Sequence, residues 1–252
     1  MTTLTALGAA FFFGSAHILV RYGLSTGSPT TAITFNIMTM GAVLLAVMGP
    51  FADWTQASAP AVGWFMLAGA VAPLTTQFLF YAAISRVGVA RASPLRNTSP
   101  LFAGMVAVAW LGEQWTVALA SGTLLIILGA TVLGMRDAKA LTAFRKRDLL
   151  FALGASVLGG VASPIRKFGY SMLTSVPLAI CLTLMGSLVG LFLYVVVGRG
   201  YRDVVVNRGT LLWFGLSGAV TSCGITSYMI SLSLGDVVLV DPLIATTPLF
   251  SV

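Results

Sequence analysis

The sequence predicts an all-α integral membrane protein, a polytopic helix bundle built from two inverted repeats. Three observations predict it. First, 58% of the 252 residues are hydrophobic and only 8% are charged, whereas soluble domains carry roughly 25% charged residues. Seven acids and fourteen bases cannot cover a globule of this size, so most of its surroundings must be lipid. Second, the apolar runs are long and unbroken. Lipid offers no partner for backbone N–H and C=O groups, which leaves helices or closed barrels, and barrel strands would alternate in segments of about 10 residues. Third, the chain repeats itself.

Nine apolar segments follow one another, at 4–22, 30–49, 61–84, 92–111, 116–135, 149–168, 176–197, 209–232 and 238–252. A bilayer core of about 30 Å calls for roughly 20 apolar residues per helix. The ninth segment is shorter than that, and the expectation is a sequence that stops inside a helix with a tenth not represented. No Lys or Arg precedes the first segment, and its first base is Arg21. It therefore lacks the charged start of a cleavable signal.

The polar loop Arg136 to Asp148 divides the chain. Pro94 to Phe102 reads PLRNTSPLF and Pro242 to Phe250 reads PLIATTPLF, identical at six of nine positions across an offset of 148. ALGAAFFFG from Ala6 echoes ALGASVLGG from Ala152, and RYG at Arg21 echoes KFG at Lys167. The duplication assigns residues 1–136 to a first five-helix repeat and 149–252 to a second. An odd number of crossings per copy inverts the second in the membrane, an arrangement that recurs in secondary transporters with the substrate site at the repeat interface.

The stretch Tyr81 to Glu113, YAAISRVGVARASPLRNTSPLFAGMVAVAWLGE, has a small-residue helix end, a short Arg-bearing loop, a proline-containing helix and a terminal Gly112–Glu113 pair. With its partial copy in the second half it resembles the EamA-type branch of the drug/metabolite transporter superfamily, across nearly the whole chain. The resemblance implies ten helices in two inverted repeats. It also implies transport of small metabolites such as amino acids, organic acids, nucleosides or drug-like solutes, mostly as export, without ATP. A bacterial inner membrane is the expected location.

Alternate loops place Arg21, Arg86, Arg91, Arg136, Lys139, Arg145, Lys146, Arg147, Arg199, Arg202 and Arg208 on one side, and only Arg166 and Lys167 on the other. The positive-inside rule puts the base-rich side, with loop 136–148, in the cytoplasm. The N-terminus then faces outward, although the resemblance implies cytoplasmic termini. A cysteine in place of Thr3 is therefore expected to react with an impermeant label on intact cells. Labelling only after permeabilisation would reverse the orientation.

Ionisable and strongly polar groups inside a bilayer are expensive and mark candidate sites. Arg96, in the fourth segment beside Asn97, can clamp a carboxylate or phosphate or snorkel to the interface. His17, the single histidine, can carry a proton or serve as a hydrogen-bonded structural residue. Asn36 falls toward the same side, so His17, Asn36 and Arg96 are candidates for one polar vestibule. Asp241 can take a proton, but Asp before Pro at a helix start usually caps that helix. Gln77, Tyr81 and Tyr228 can line a pore, the tyrosines equally serving as interface anchors. Pro94 and Pro100 are mirrored by Pro242 and Pro248, and a symmetric pair of broken helices points to a substrate site and hinges. Gly186–Gly190 and Gly159–Ser163 have the spacing of close helix contacts. Glu113 and Asp53 read as solvated loop acids.

Other functions find little support. Ser15 and His17 are two apart on a helix and point to different sides, and no second histidine or acid cluster supplies a base, so no enzyme is expected. No cofactor or metal is expected either, because there is no phosphate-binding loop or ligand set. No basic stretch is long enough to follow nucleic acid. Cys181 and Cys223 lie in apolar runs and read as packing residues. The expected partners are the lipid bilayer and a small-molecule substrate; a membrane scaffold or subunit is the alternative.

Overall fold

The computed structural model describes residues 1–25, 27–136, 145–197 and 200–250. Among the described residues all nine apolar segments are largely helical, and no strand occurs. Most of loop 136–148, including Lys139, and Arg199 and Val252 lie outside the described residues.

The spans are α1 (Thr2–Gly23), α2 (Pro29–Met48), α3 (Ala59–Gly69) continued by α4 (Thr76–Val87), α5 (Val89–Arg96) continued by α6 (Ser99–Val106), α7 (Val117–Arg136), α8 (Leu149–Gly169), α9 (Val176–Phe192), α10 (Arg208–Leu234) and α11 (Val237–Ile244). Among the described residues, five stretches are long and apolar enough to cross a membrane by length and composition: Thr2–Gly23, Pro29–Phe51, Ala59–Val87, Lys146–Gly169 and Val176–Val197. Large apolar side chains such as Leu124, Leu125, Leu128 and Val132 on α7 are exposed, and on an integral membrane protein that surface faces lipid.

Serines start the second helix of each half. Ser28 precedes Pro29 and accepts from the Thr31 N–H at 3.1 Å; Ser175 precedes Val176–Pro177 and accepts from the Leu178 N–H at 3.4 Å. Each satisfies one of the helix's free N–H groups, and proline one or two positions in has no N–H to satisfy.

The packing repeats between halves. α1 packs along α10, and α8 packs against α3 and α4. Likewise α10 meets α2 while α3 meets α9, and α1 meets α11 while α8 meets α5 and α6. Small residues permit this. A methyl on Gly186 would lie 2.1 Å from the Met66 carbonyl, and one on Gly190 would lie 2.5 Å from Leu74. The Gly186–Gly190 pair therefore packs helices within one chain, as its spacing predicts. The other pair behaves differently. Gly160, not Gly159, seats α8 against Phe102 and Ala103, whereas Gly159 and Ser163 face a cavity.

The two proline-bearing spans break at equivalent places. α5 ends at Arg96 and α6 begins at Ser99; α11 ends at Ile244 and a short 3-10 turn covers Thr247–Phe250. The interruptions fall at Asn97–Thr98 and Ala245–Thr246, between the prolines rather than at them. Pro100 sits in the first turn of α6, where a missing N–H is harmless.

Candidate functional site

A cavity of about 170 Å³ forms where α1, the α3–α4 junction, the two broken spans, α8 and α10 converge. Its lining follows the duplication. Offsets of 146 or 148 relate Phe13 to Gly159, His17 to Ser163, Gln77 to Ile225, Phe80 to Tyr228, Ser93 to Asp241, Arg96 to Ile244, Asn97 to Ala245, Ser99 to Thr247 and Pro100 to Pro248, and all of them line the cavity. The charged groups lie where the copies diverge: Arg96 answers to Ile244, Asp241 to Ser93 and Arg166 to Val20. The repeated scaffold gives the cavity its shape, and unmatched side chains give it its chemistry.

Arg166 is the lining residue that hydropathy misplaced. Beside Lys167 it reads as a loop base, yet it lies within α8 with 4% of its surface exposed. The α3–α4 junction explains why it is held there. Pro73 has no N–H, Ala72 leaves helical geometry (φ −144°, ψ 132°), and the Thr76 N–H turns to Val71 and Pro73. The freed Ala72 carbonyl accepts from Arg166 Nη2 instead, and a buried carbonyl of this kind needs such a donor. The Arg166 guanidinium also lies 5.5 Å from the Tyr228 ring centre, a cation–π distance. Its Nε is buried without a partner.

Arg96 ends α5 and reaches across to α8, where its Nη1 lies 3.0 Å from the position a methyl on Gly159 would occupy. Glycine at 159 leaves room for the flat guanidinium. Asn97, 9% exposed, has a buried Nδ2 with no partner. Asp241 corrects the capping expectation. Asp236 occupies the N-cap position of α11, and Asp241 lies inside the helix, buried in the cavity wall. Its carboxyl faces the Ser163 hydroxyl and the guanidinium groups of Arg166 and Arg96. Tyr228 donates to Ser163 Oγ at 2.8 Å; it is 6% exposed and is no interface anchor.

His17 and Arg96 share the cavity, with the His17 ring 5.4 Å from that of Phe80. Asn36 does not join them. Its Nδ2 donates to Ser217 Oγ at 2.8 Å in the α2–α10 contact, because a buried amide there finds hydroxyls on the neighbouring helix. Gln77 lines the cavity; Tyr81, fully buried behind it, donates to Gln77 Oε1 at 3.1 Å and acts as a support. Pro100 and Pro248 line the cavity, while Pro94 and Pro242 sit inside α5 and α11.

The loop charges also need revision. Glu113 is not free in solvent: its Oε1 and Oε2 accept from the Val237 and Val238 N–H groups, each at 3.0 Å. Gly112 adopts φ +70° at the turn before it, a left-handed conformation that favours glycine and turns the chain so that Glu113 faces α11. Lys167 likewise leaves the loop and donates to the Leu232 and Gly235 carbonyls at 3.2 and 2.8 Å. At one junction an acid holds a helix start and a base holds a helix end, each matching the local dipole. Asp53 does remain exposed, and hydrogen bonds from Thr55 and Gln56 hold its carboxyl below the usual carboxylate range. Among the described residues no cluster of three or more His, Cys, Asp or Glu could hold a metal. Cys181 and Cys223 are free thiols, the first buried and the second exposed.

A crystal structure of a protein shares this fold at a TM-score of 0.77, with 17% identity over 99% of this chain and 85% of that one. No curated protein matches the sequence. The model of the EamA-like transporter family matches residues 1–135, more than half of the sequence. The chain is an integral membrane protein of the EamA-like transporter family, a membrane transporter of the drug/metabolite type.

Proposed function

We propose that the protein moves a small metabolite across the membrane by alternating access, with the shared cavity as its substrate site. The observation that carries this reading is the lining itself, in which the same positions of both repeats meet around one space. Two inverted repeats, 1–136 and 149–252, rock around that site in transport schemes of this kind. The interruptions at Asn97–Thr98 and Ala245–Thr246 are placed to bend. Arg96, Asn97, Gln77 and Tyr228 meet the substrate; Asn36 and Tyr81 support the helices that carry them. Export from a bacterial cell through its inner membrane is the direction and location we favour. Drawing Arg166 and Lys167 into the fold sharpens the charge imbalance between loops and supports a cytoplasmic base-rich face.

Uptake into proteoliposomes tests this. Labelled amino acids, organic acids, nucleosides and aromatic amines are offered with and without a proton gradient. One class is expected to accumulate, and Arg96→Ala to lower its initial rate about 10- to 100-fold, the loss of one charge-assisted hydrogen-bonding group. Correctly folded protein that moves no solute would favour a membrane scaffold or subunit instead.

A further inference from the structure

Residues that line the cavity carry donors the protein leaves unsatisfied. Arg166 Nε and Asn97 Nδ2 are buried and unpartnered, and the Arg96 guanidinium lies flat against Gly159 in the same lining. A buried donor without an acceptor loses about 1–3 kcal/mol of hydration. Arg96 and Arg166 both line the cavity, and planar guanidinium groups suit carboxylate or phosphate oxygens. Asp241 faces the same two guanidinium groups. An arriving oxyanion and an ionised Asp241 therefore compete for one pair of cations in a space of about 170 Å³, and two like charges that close disfavour each other.

Resting on the transport reading, we infer that the cavity takes an oxyanion together with one proton, the proton on Asp241. The step is a proton transfer only. A proton from the entry side joins an Asp241 carboxylate oxygen, the carboxyl releases the guanidinium groups, and the oxyanion occupies them. On the other face the oxyanion leaves, the proton returns to water, and the ionised Asp241 faces Arg96 and Arg166 again. The groups facing Asp241 are Arg96 from α5, Ser163 and Arg166 from α8, Tyr228 from α10, and Glu113 beyond α6. Glu113 is held on the start of α11, and His17 faces Arg96 rather than Asp241. Asp241 is thus the carboxyl that shares the cavity lining with both cations.

Purified full-chain protein in detergent provides the test, by ligand-induced shifts in melting temperature. Acetate, succinate and inorganic phosphate are the probes, with choline and glucose as controls, at about pH 5.5 and about pH 7.5. An oxyanion is expected to bind at least about fivefold more tightly at the lower pH, because binding is linked to proton uptake. Whether acetate, succinate or phosphate does so separates carboxylate from phosphate ligands. Asp241→Asn, which keeps size but cannot ionise, is expected to bind at both pH values as the parent does at the lower one. Gly159→Ala, which crowds Arg96 without removing its charge, is expected to weaken binding with little change in unliganded melting temperature. No shift with any oxyanion while choline or glucose gives one would overturn the inference, as would an Asp241→Asn protein with the parent's pH dependence. Oxyanion binding without flux in proteoliposomes would sink the transport reading and leave this site standing. Flux of a neutral or cationic solute without oxyanion binding would do the reverse.

Discussion

Arg166→Gln is expected to abolish transport and to destabilise the purified protein by about 3–5 kcal/mol, the usual cost of removing one partner from a buried charge group. Three dependencies meet at this side chain. The Ala72 carbonyl at the α3–α4 break loses its donor, the Tyr228 ring loses its cation, and Asp241 loses one of its two facing guanidinium groups. The double variant Arg166→Gln with Asp241→Asn should regain part of the stability, since it removes the stranded charge, while transport stays absent. Chemical denaturation in mixed detergent measures both. An Arg166→Gln protein as stable as the parent would show that the guanidinium is solvated and that the Ala72 carbonyl finds another donor.

Gly186→Ala is expected to lower stability by about 1–3 kcal/mol or more, as overpacking does in a close-packed interior. The added methyl would lie 2.1 Å from the Met66 carbonyl oxygen, which is backbone and cannot turn aside. The crossing is tight from both sides, because a methyl on Gly69 would lie 1.8 Å from the Thr183 carbonyl. Ser187 adds a hydrogen bond to the Gly69 carbonyl at 2.8 Å, so α3 and α9 meet backbone to backbone. Gly122→Ala in α7 is the control. Nothing lies within 4 Å of its added methyl, and alanine favours a helix over glycine by about 1 kcal/mol. Equal melting temperatures for the two variants would mean that the α3–α9 crossing is looser than its geometry.

Much of this architecture is legible in the residues themselves. Uninterrupted apolar runs require helices in lipid, and PLRNTSPLF against PLIATTPLF places two broken spans around one centre. His17, Gln77, Arg96 and Asn97 are rare polar groups in apolar surroundings, and the cavity receives all four. What could not be read depends on partners distant in sequence. Arg166 next to Lys167 looks like the end of a span; the carbonyl freed at Ala72, 94 residues earlier, and the Tyr228 ring hold it inside. Asp241 before Pro242 has the local pattern of a cap, but α11 starts a full turn sooner. Asn36 looks like a vestibule residue until Ser217 is seen opposite. One comparison within the sequence could have found Arg166: the offset that pairs His17 with Ser163 also pairs Val20 with Arg166. A charge facing an aliphatic counterpart marks where duplicated copies have taken separate roles.

The cap on α11 bears on how the chain is made. Glu113 and its two backbone partners are 124 and 125 residues apart, so the acid emerges from synthesis long before the amides it serves. Until then a carboxylate is better accommodated in water than in hydrocarbon. When the segment beginning at Val237 arrives, its bare N–H groups need an acceptor at the rim of the bilayer. Completion of the cap then depends on both halves having entered with matching orientation. A second half threaded the wrong way would carry these amides to the opposite rim, beyond the reach of Glu113. The Gly112–Glu113 pair thus rewards correct threading, a safeguard of biogenesis built into one turn.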